Sequence, residues 1–172
     1  MEKLILDLIA KSQNTIFDNM SIAFNILGTG GIFFVIIGIV MILNKKTRLM
    51  GIHVLISLGL CLILGNLLLK PTIGRVRPYV KFNRAIIVEP LKDFSFPSGH
   101  TYSAFSTAFS INYYDEELGK FMMFVGAVMG FTRMYLYVHY PTDILGGVVL
   151  GYICAKIADL ILKQINVKKS EM

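Results

Sequence analysis

Between Asp18 and Lys45 no side chain carries a charge, and the same is true from Leu49 to Leu69 and from Phe94 to Tyr114. A helix needs about 20 predominantly apolar residues to cross the hydrocarbon core of a bilayer. The bilayer offers the backbone no hydrogen-bond partner of its own, so such runs fold as helices. A fourth run, Leu118 to Leu136, carries Lys120 near one end and Arg133 near the other. A fifth, Pro141 to Leu162, has Lys156 and Asp159 in its last turns, spaced i,i+3 to pair on one face and reach the interface. Five crossings follow.

Hydrophobic residues make up 55% of the chain and charged residues 16%, more apolar and less charged than a soluble domain. The 172 residues hold one domain, residues 1–172, without internal repeat, low-complexity segment or linker. Leu4, Ile5, Leu8 and Ile9 form a helical apolar stripe broken by Asp7, Lys11 and Asp18. This predicts an amphipathic helix over residues 1–20 lying in the interface, with an irregular sixth crossing as the alternative. Without a basic start or a small-residue cleavage site, its removal is not expected. The expected fold is all-α: a polytopic membrane bundle of five or six transmembrane helices with an N-terminal amphipathic helix. Cys61 and Cys154 sit inside apolar runs and read as small buried hydrophobes.

Successive loops alternate between the two faces of the membrane. The long segment from Lys70 to Pro97 and the His139-Tyr140-Pro141 turn then share one face, and the turns at Lys45 and Asp115 and the Lys-rich tail share the other. The second face holds Lys45, Lys46, Arg48, Lys120, Lys163, Lys168 and Lys169, in no pattern that suggests chemistry. The positive-inside rule makes that face cytoplasmic. A net charge of +6 is thereby explained by topology and a bound anion, and predicts no nucleic-acid partner.

The first face gathers ionisable residues that membrane helices seldom keep without a use. Lys70 ends the second helix, Arg77-Pro78 follows, Pro97-Ser98-Gly99-His100 opens the third, Arg133 lies near the end of the fourth, and His139 and Asp143 straddle the start of the fifth. Lys70, Arg77 and Arg133 supply positive charge and donors for a phosphate dianion. Ser98 and Gly99 look like a helix entrance whose backbone N–H groups favour an anion. Two histidines on a phosphate suggest one nucleophile and one general acid. Asp143, four residues after His139, can take a ring N–H and leave the other nitrogen free, which assigns attack to His139 and the acid role to His100.

These motifs, spanning residues 70 to 143, resemble the three-part signature of the type-2 phosphatidic acid phosphatase superfamily. The resemblance implies a phosphohistidine intermediate at His139, leaving-group protonation by His100, phosphate contacts from Lys70, Arg77, Ser98, Gly99 and Arg133, and neither metal nor other cofactor. Thr132 stands where that family usually has serine before the arginine. Small bacterial members of the family are commonly undecaprenyl-diphosphate phosphatases of the outer face, so that lipid is the expected substrate at the cell membrane. Phosphatidylglycerophosphate and phosphatidate are the runners-up.

Each residue also has a plainer explanation. Lys70, Arg77 and Arg133 taken singly are snorkelling anchors, but anchoring gives no reason for Pro97-Ser98-Gly99-His100 or for a histidine paired to a carboxylate. A lipid-phosphate or anion transporter would also put cations at helix ends, yet has no need of the His139 and Asp143 pair. A zinc site lacks a close-spaced ligand pair. Arg75, Tyr79, Lys81, Arg84 and Lys92 read as solvated loop or headgroup contacts, with Arg75 the best candidate among them for a second phosphate contact, and His53 reads as a packed or interfacial histidine. Gly126, Gly130, Gly146, Gly147 and Gly151 are expected to permit close helix packing. Oligomeric state has no signal in the sequence.

Overall fold

A computed structural model describes residues 1–170, with side chains through residue 165, so Lys168 and Lys169 lie outside the described side chains. The elements are α1 (Glu2–Ala10), α2 (Thr15–Gly28), α3 (Ile32–Leu43), α4 (Arg48–Cys61) continuing through a π-helical stretch (Leu62–Leu69) into α5 (Lys70–Ile73), α6 (Pro78–Lys81), α7 (Gly99–Asn112), α8 (Glu116–Tyr135) and α9 (Pro141–Ser170). No strand occurs among the described residues. Among the described residues, three stretches are long and apolar enough to cross a membrane: Thr15–Leu43, Arg48–Lys81 and Pro141–Ile165.

The third uncharged run is a shorter helix than expected. Phe94 to Ser98 belong to a loop, leaving the 14 residues of α7, roughly 21 Å at 1.5 Å per residue. Its lack of charge has a different cause, because α7 is the axis of the bundle and packs on α4, α8 and α9. Thr101, Ser103, Ser106, Thr107 and Ser110 are all buried there. Glycines bring the neighbours close: a Cβ at Gly151 of α9 would lie 2.8 Å from the Ser106 backbone nitrogen, and one at Gly147 2.8 Å from the Thr101 Cβ. His53 is fully buried, with Nε2 2.8 Å from the Ala155 carbonyl.

The N-terminal segment departs from the sequence reading in two places. Residues 1–20, expected as one helix, are divided: α1 ends at Ala10, and Asn14 caps α2 by accepting from the Ile16 and Phe17 N–H groups. The uncharged run from Asp18 to Lys45, expected as one crossing, breaks at Gly30 and Gly31, whose φ angles of 62° and 71° lie in the left-handed region that glycine adopts without strain.

Contacts at the two ends of α2 fix its direction. The short Tyr113-Tyr114-Asp115 turn makes α7 and α8 antiparallel, so His100 at the start of one and Tyr135 at the end of the other share an end of the bundle. The Asn14 N–H donates to the Tyr135 hydroxyl at 3.1 Å, and the Asn25 carbonyl lies 3.0 Å from His100 Nε2. A helix touching both residues lies across that end, and α3 descends from it along α4.

On the same end, α1 docks Leu6, fully buried, against Tyr137 and Tyr140. Leu4, Ile5 and Leu8 of its predicted stripe face outward, 63%, 38% and 55% exposed. That leaves an apolar face for lipid on a helix held down by protein.

Candidate active site

Each turn of the chain at this end has a local reason. Lys70 opens α5, which Gly74 closes in the left-handed conformation at φ 60°. Arg77 precedes Pro78, which starts α6 with its fixed φ. The loop from Phe82 to Ser98 folds back, pinned by the Ser95 N–H donating to the Arg75 carbonyl at 2.8 Å. After α8, Tyr137 takes a left-handed φ of 60°, unusual for a bulky residue. Its hydroxyl donates to Asp7 at 2.7 Å and its ring meets Phe82 edge-on, contacts that hold the turn presenting His139.

Lys70, Arg77, Gly99, His100 and His139 line one cavity of about 650 Å³. Its far wall is apolar, formed by Val35, Leu55, Leu58 and Leu62. Three of the predicted residues, Asp143, Ser98 and Arg133, do not line the cavity and are buried beneath its polar end. Asp143 is fully buried against His139. Ser98 gives its N–H to the Asp143 carbonyl at 3.1 Å, and its hydroxyl accepts from Thr101 at 2.9 Å. Arg133, fully buried, donates to the Asn25 side chain at 2.6 Å and the Ser21 carbonyl at 3.3 Å, and its Nε has no protein partner. Thr132 gives its hydroxyl to the Met129 carbonyl at 2.7 Å.

His139 has a defined tautomer. Arg77 Nη1 lies 3.1 Å from His139 Nε2, and a guanidinium can only donate, so Nε2 carries the lone pair. The proton sits on Nδ1, 3.3 Å from an Asp143 carboxylate oxygen. Burial pushes the imidazolium down to about 4, with Asp143 opposing the fall and Arg77 adding to it. The ring is therefore neutral near pH 7, with a nitrogen lone pair at the cavity wall.

The surroundings of Asp143 correct one expectation. Arg75 is not among the residues lining the cavity; Nη1 donates to Asp143 at 2.5 Å and to Thr142 at 2.6 Å, Nη2 to Glu2 at 2.6 Å, and the guanidinium lies 3.9 Å over the Tyr140 ring. It supports the carboxylate. Ser95 Oγ donates to Asp143 at 2.5 Å and the Tyr140 N–H at 2.9 Å, so four donors orient one buried acid. Sequence reasoning missed Glu2, Asn25, Asp93 and Ser95, which no spacing rule ties to the motifs.

Asp93 has the clearest consequence. Its carboxylate bridges Lys70 and Arg77, the latter at 2.7 Å. Burial works to raise its pKa, yet the two cations hold it at about 2. An anion approaching Lys70 and Arg77 must displace a permanently charged side chain. Asp93→Asn is expected to bind inorganic phosphate about three- to tenfold more tightly, since a half-exposed ion pair contributes roughly 1 kcal/mol. Competitive inhibition by phosphate checks this; an unchanged or weaker constant would mean that the carboxylate is not in the anion's way.

Among the described residues, no three His, Cys, Asp or Glu side chains form a metal-ligand group. The chain is 29% identical over 113 residues to the undecaprenyl-diphosphatase of Sulfolobus acidocaldarius, covering 64% of this chain and 54% of that one. It is 36% identical over 131 residues to phosphatidylglycerophosphatase B of Bacillus subtilis, covering 68% and 60%. The chain thus spans about half to three fifths of the length of these relatives. The solved transmembrane PAP2-type phosphatidylglycerolphosphate phosphatase of Bacillus subtilis superposes with a TM-score of 0.72 at 28% identity, over 95% of this chain and 85% of that one. The profile of the PAP2 superfamily matches residues 51–166, a span holding all three motifs, and the chain belongs to that superfamily of membrane phosphatases.

Proposed function

We propose that this protein removes the terminal phosphate of a membrane lipid through a phosphohistidine on His139. The observation that carries the reading is one cavity with Lys70, Arg77, His100 and His139 at its polar end and an aliphatic wall at the other. Such a cavity suits a phosphate attached to a hydrocarbon chain. In the first step the His139 Nε2 lone pair forms a bond to phosphorus while the bond to the leaving oxygen breaks. His100 gives that oxygen a proton, and Lys70, Arg77 and the Gly99 backbone, which line the cavity, hold the phosphoryl oxygens, with the buried Arg133 adding positive charge. Asp143 stabilises the charge that develops on the ring. Water, deprotonated by His100, then displaces His139 and frees phosphate.

Five crossings, α3, the continuous α4–α5, α7, α8 and α9, with α1 and α2 at the catalytic end, fit the described elements, and a sixth would need α2 to cross. Lys45, Lys46, Arg48, Lys120 and Lys163 belong to the opposite end, which supports a catalytic end outside the cytoplasm. Undecaprenyl diphosphate is the preferred substrate, supported by the name of the Sulfolobus relative. Phosphatidylglycerophosphate, after the Bacillus relative, and phosphatidate follow.

Purified protein offered these three lipids with chelator present is expected to release phosphate, fastest from undecaprenyl diphosphate. No release from any lipid would end the phosphatase reading, and arrest by chelator would end the metal-free mechanism. Faster turnover of phosphatidylglycerophosphate would transfer the assignment to that lipid.

A further inference from the structure

We infer that α2, which precedes the family-matched residues 51–166, seats the leaving-group acid: Asn25 and Gly28 are positioning residues for His100. This rests on the reading of His100 as the acid. The Asn25 carbonyl, 3.0 Å from His100 Nε2, can only accept, so Nε2 carries a proton there. Nδ1 is left as the nitrogen that exchanges a proton with the leaving oxygen. The same residue aligns a second group, since its side-chain oxygen accepts from Arg133 Nη1 at 2.6 Å. Asn25 itself lines the cavity.

Gly28 supplies the space. A Cβ there would lie 2.1 Å from His100 Cδ2 and 2.9 Å from Cγ and Nε2. Glycine at a helix end is ordinarily explained by a left-handed φ, but Gly28 has φ −84° and ψ −6°, a conformation open to any residue. Backbone freedom therefore does not require glycine here; the imidazole does. The acid of one motif is thus held by a helix that carries none of the motifs.

The test uses leaving groups. Phosphatidate releases an alkoxide that needs a proton, whereas 2,4-dinitrophenyl phosphate releases a stable phenolate that does not. Positioned general acids contribute roughly 10²–10⁴-fold. Gly28→Ala, which displaces the ring without deleting it, is expected to lose about 10- to 100-fold on phosphatidate and less than about threefold on the aryl ester. His100→Ala should show the same split more strongly. In the double variant Gly28→Ala/His100→Ala the ring is gone and the added methyl has room, so its turnover should equal that of His100→Ala alone.

Equal losses on both substrates, or a further loss in the double variant, would overturn the positioning role. Absence of wild-type turnover on the aryl ester and on every lipid offered, or full activity of a His139 variant, would take down the phosphatase reading along with it, a result recognisable because it precedes any comparison at residue 28.

Discussion

His139→Ala is expected to lose more than about 10⁴-fold in turnover while still binding inorganic phosphate within about threefold of wild type, because a group that acts only in the chemical step contributes nothing to ground-state affinity. Lys70 and Arg77 remain to hold the anion, and removing the imidazole takes one donor contact from Arg77 without removing its bonds to the Asp93 and Val138 carbonyls. Calorimetric titration with phosphate and trapping of labelled enzyme by an alkaline detergent quench, in which the P–N bond of phosphohistidine survives, read the two halves separately. The variant should form no labelled histidine. Turnover within tenfold of wild type would exclude His139 as nucleophile, and lost binding with retained labelling would invert its role.

The second large effect belongs to Asp143→Asn. Four donors converge on the carboxylate, from Arg75, Ser95, His139 and the Tyr140 backbone. An amide there must turn an NH₂ against at least one of them. Where an Asp-to-Asn exchange leaves a catalytic imidazole in the wrong tautomer, the loss is on the order of 10⁴, and a fall of about 10³–10⁴ is expected here. The pH profile carries an independent sign. Burial depresses His139 to about 4 and Asp143 opposes that depression. The lone pair is thus available above the folded value and is lost as pH falls through it. Without the carboxylate that value drops further, so the acid limb of the residual kcat/KM should move to lower pH. A limb moving upward would contradict the electrostatic account.

The convergence of Lys70, Arg77, His100 and His139 was legible in the sequence because a bilayer imposes parity. Each uncharged helix returns the chain to the opposite side, and residues at alternate ends must meet. Asp143 was legible for a local reason, four residues from its partner across a proline turn. The course of α2 was not. Hydropathy counts apolar residues without regard to what covers them, and the glycine pair that ends α2 sits inside a run that reads as one helix. The same blindness gave the third uncharged run the length of a full crossing, although its first residues belong to a loop and the serines and threonines of α7 fit a helix enclosed by protein. Arg75 and Asp93 were misread or missed because a loop tethered at both ends can deliver a charge to many places. Only the folded backbone shows that one braces the buried acid and the other lies on the cations.

The thread from Glu2 through Arg75 to Asp143 makes the first helix a working part of the reaction centre. Its Leu4 and Leu8 face outward, while Glu2 in its first turn holds the single guanidinium that ties the helix to the acid beside His139. Displacing this small amphipathic element would therefore withdraw Glu2 from Arg75 and loosen the brace on Asp143.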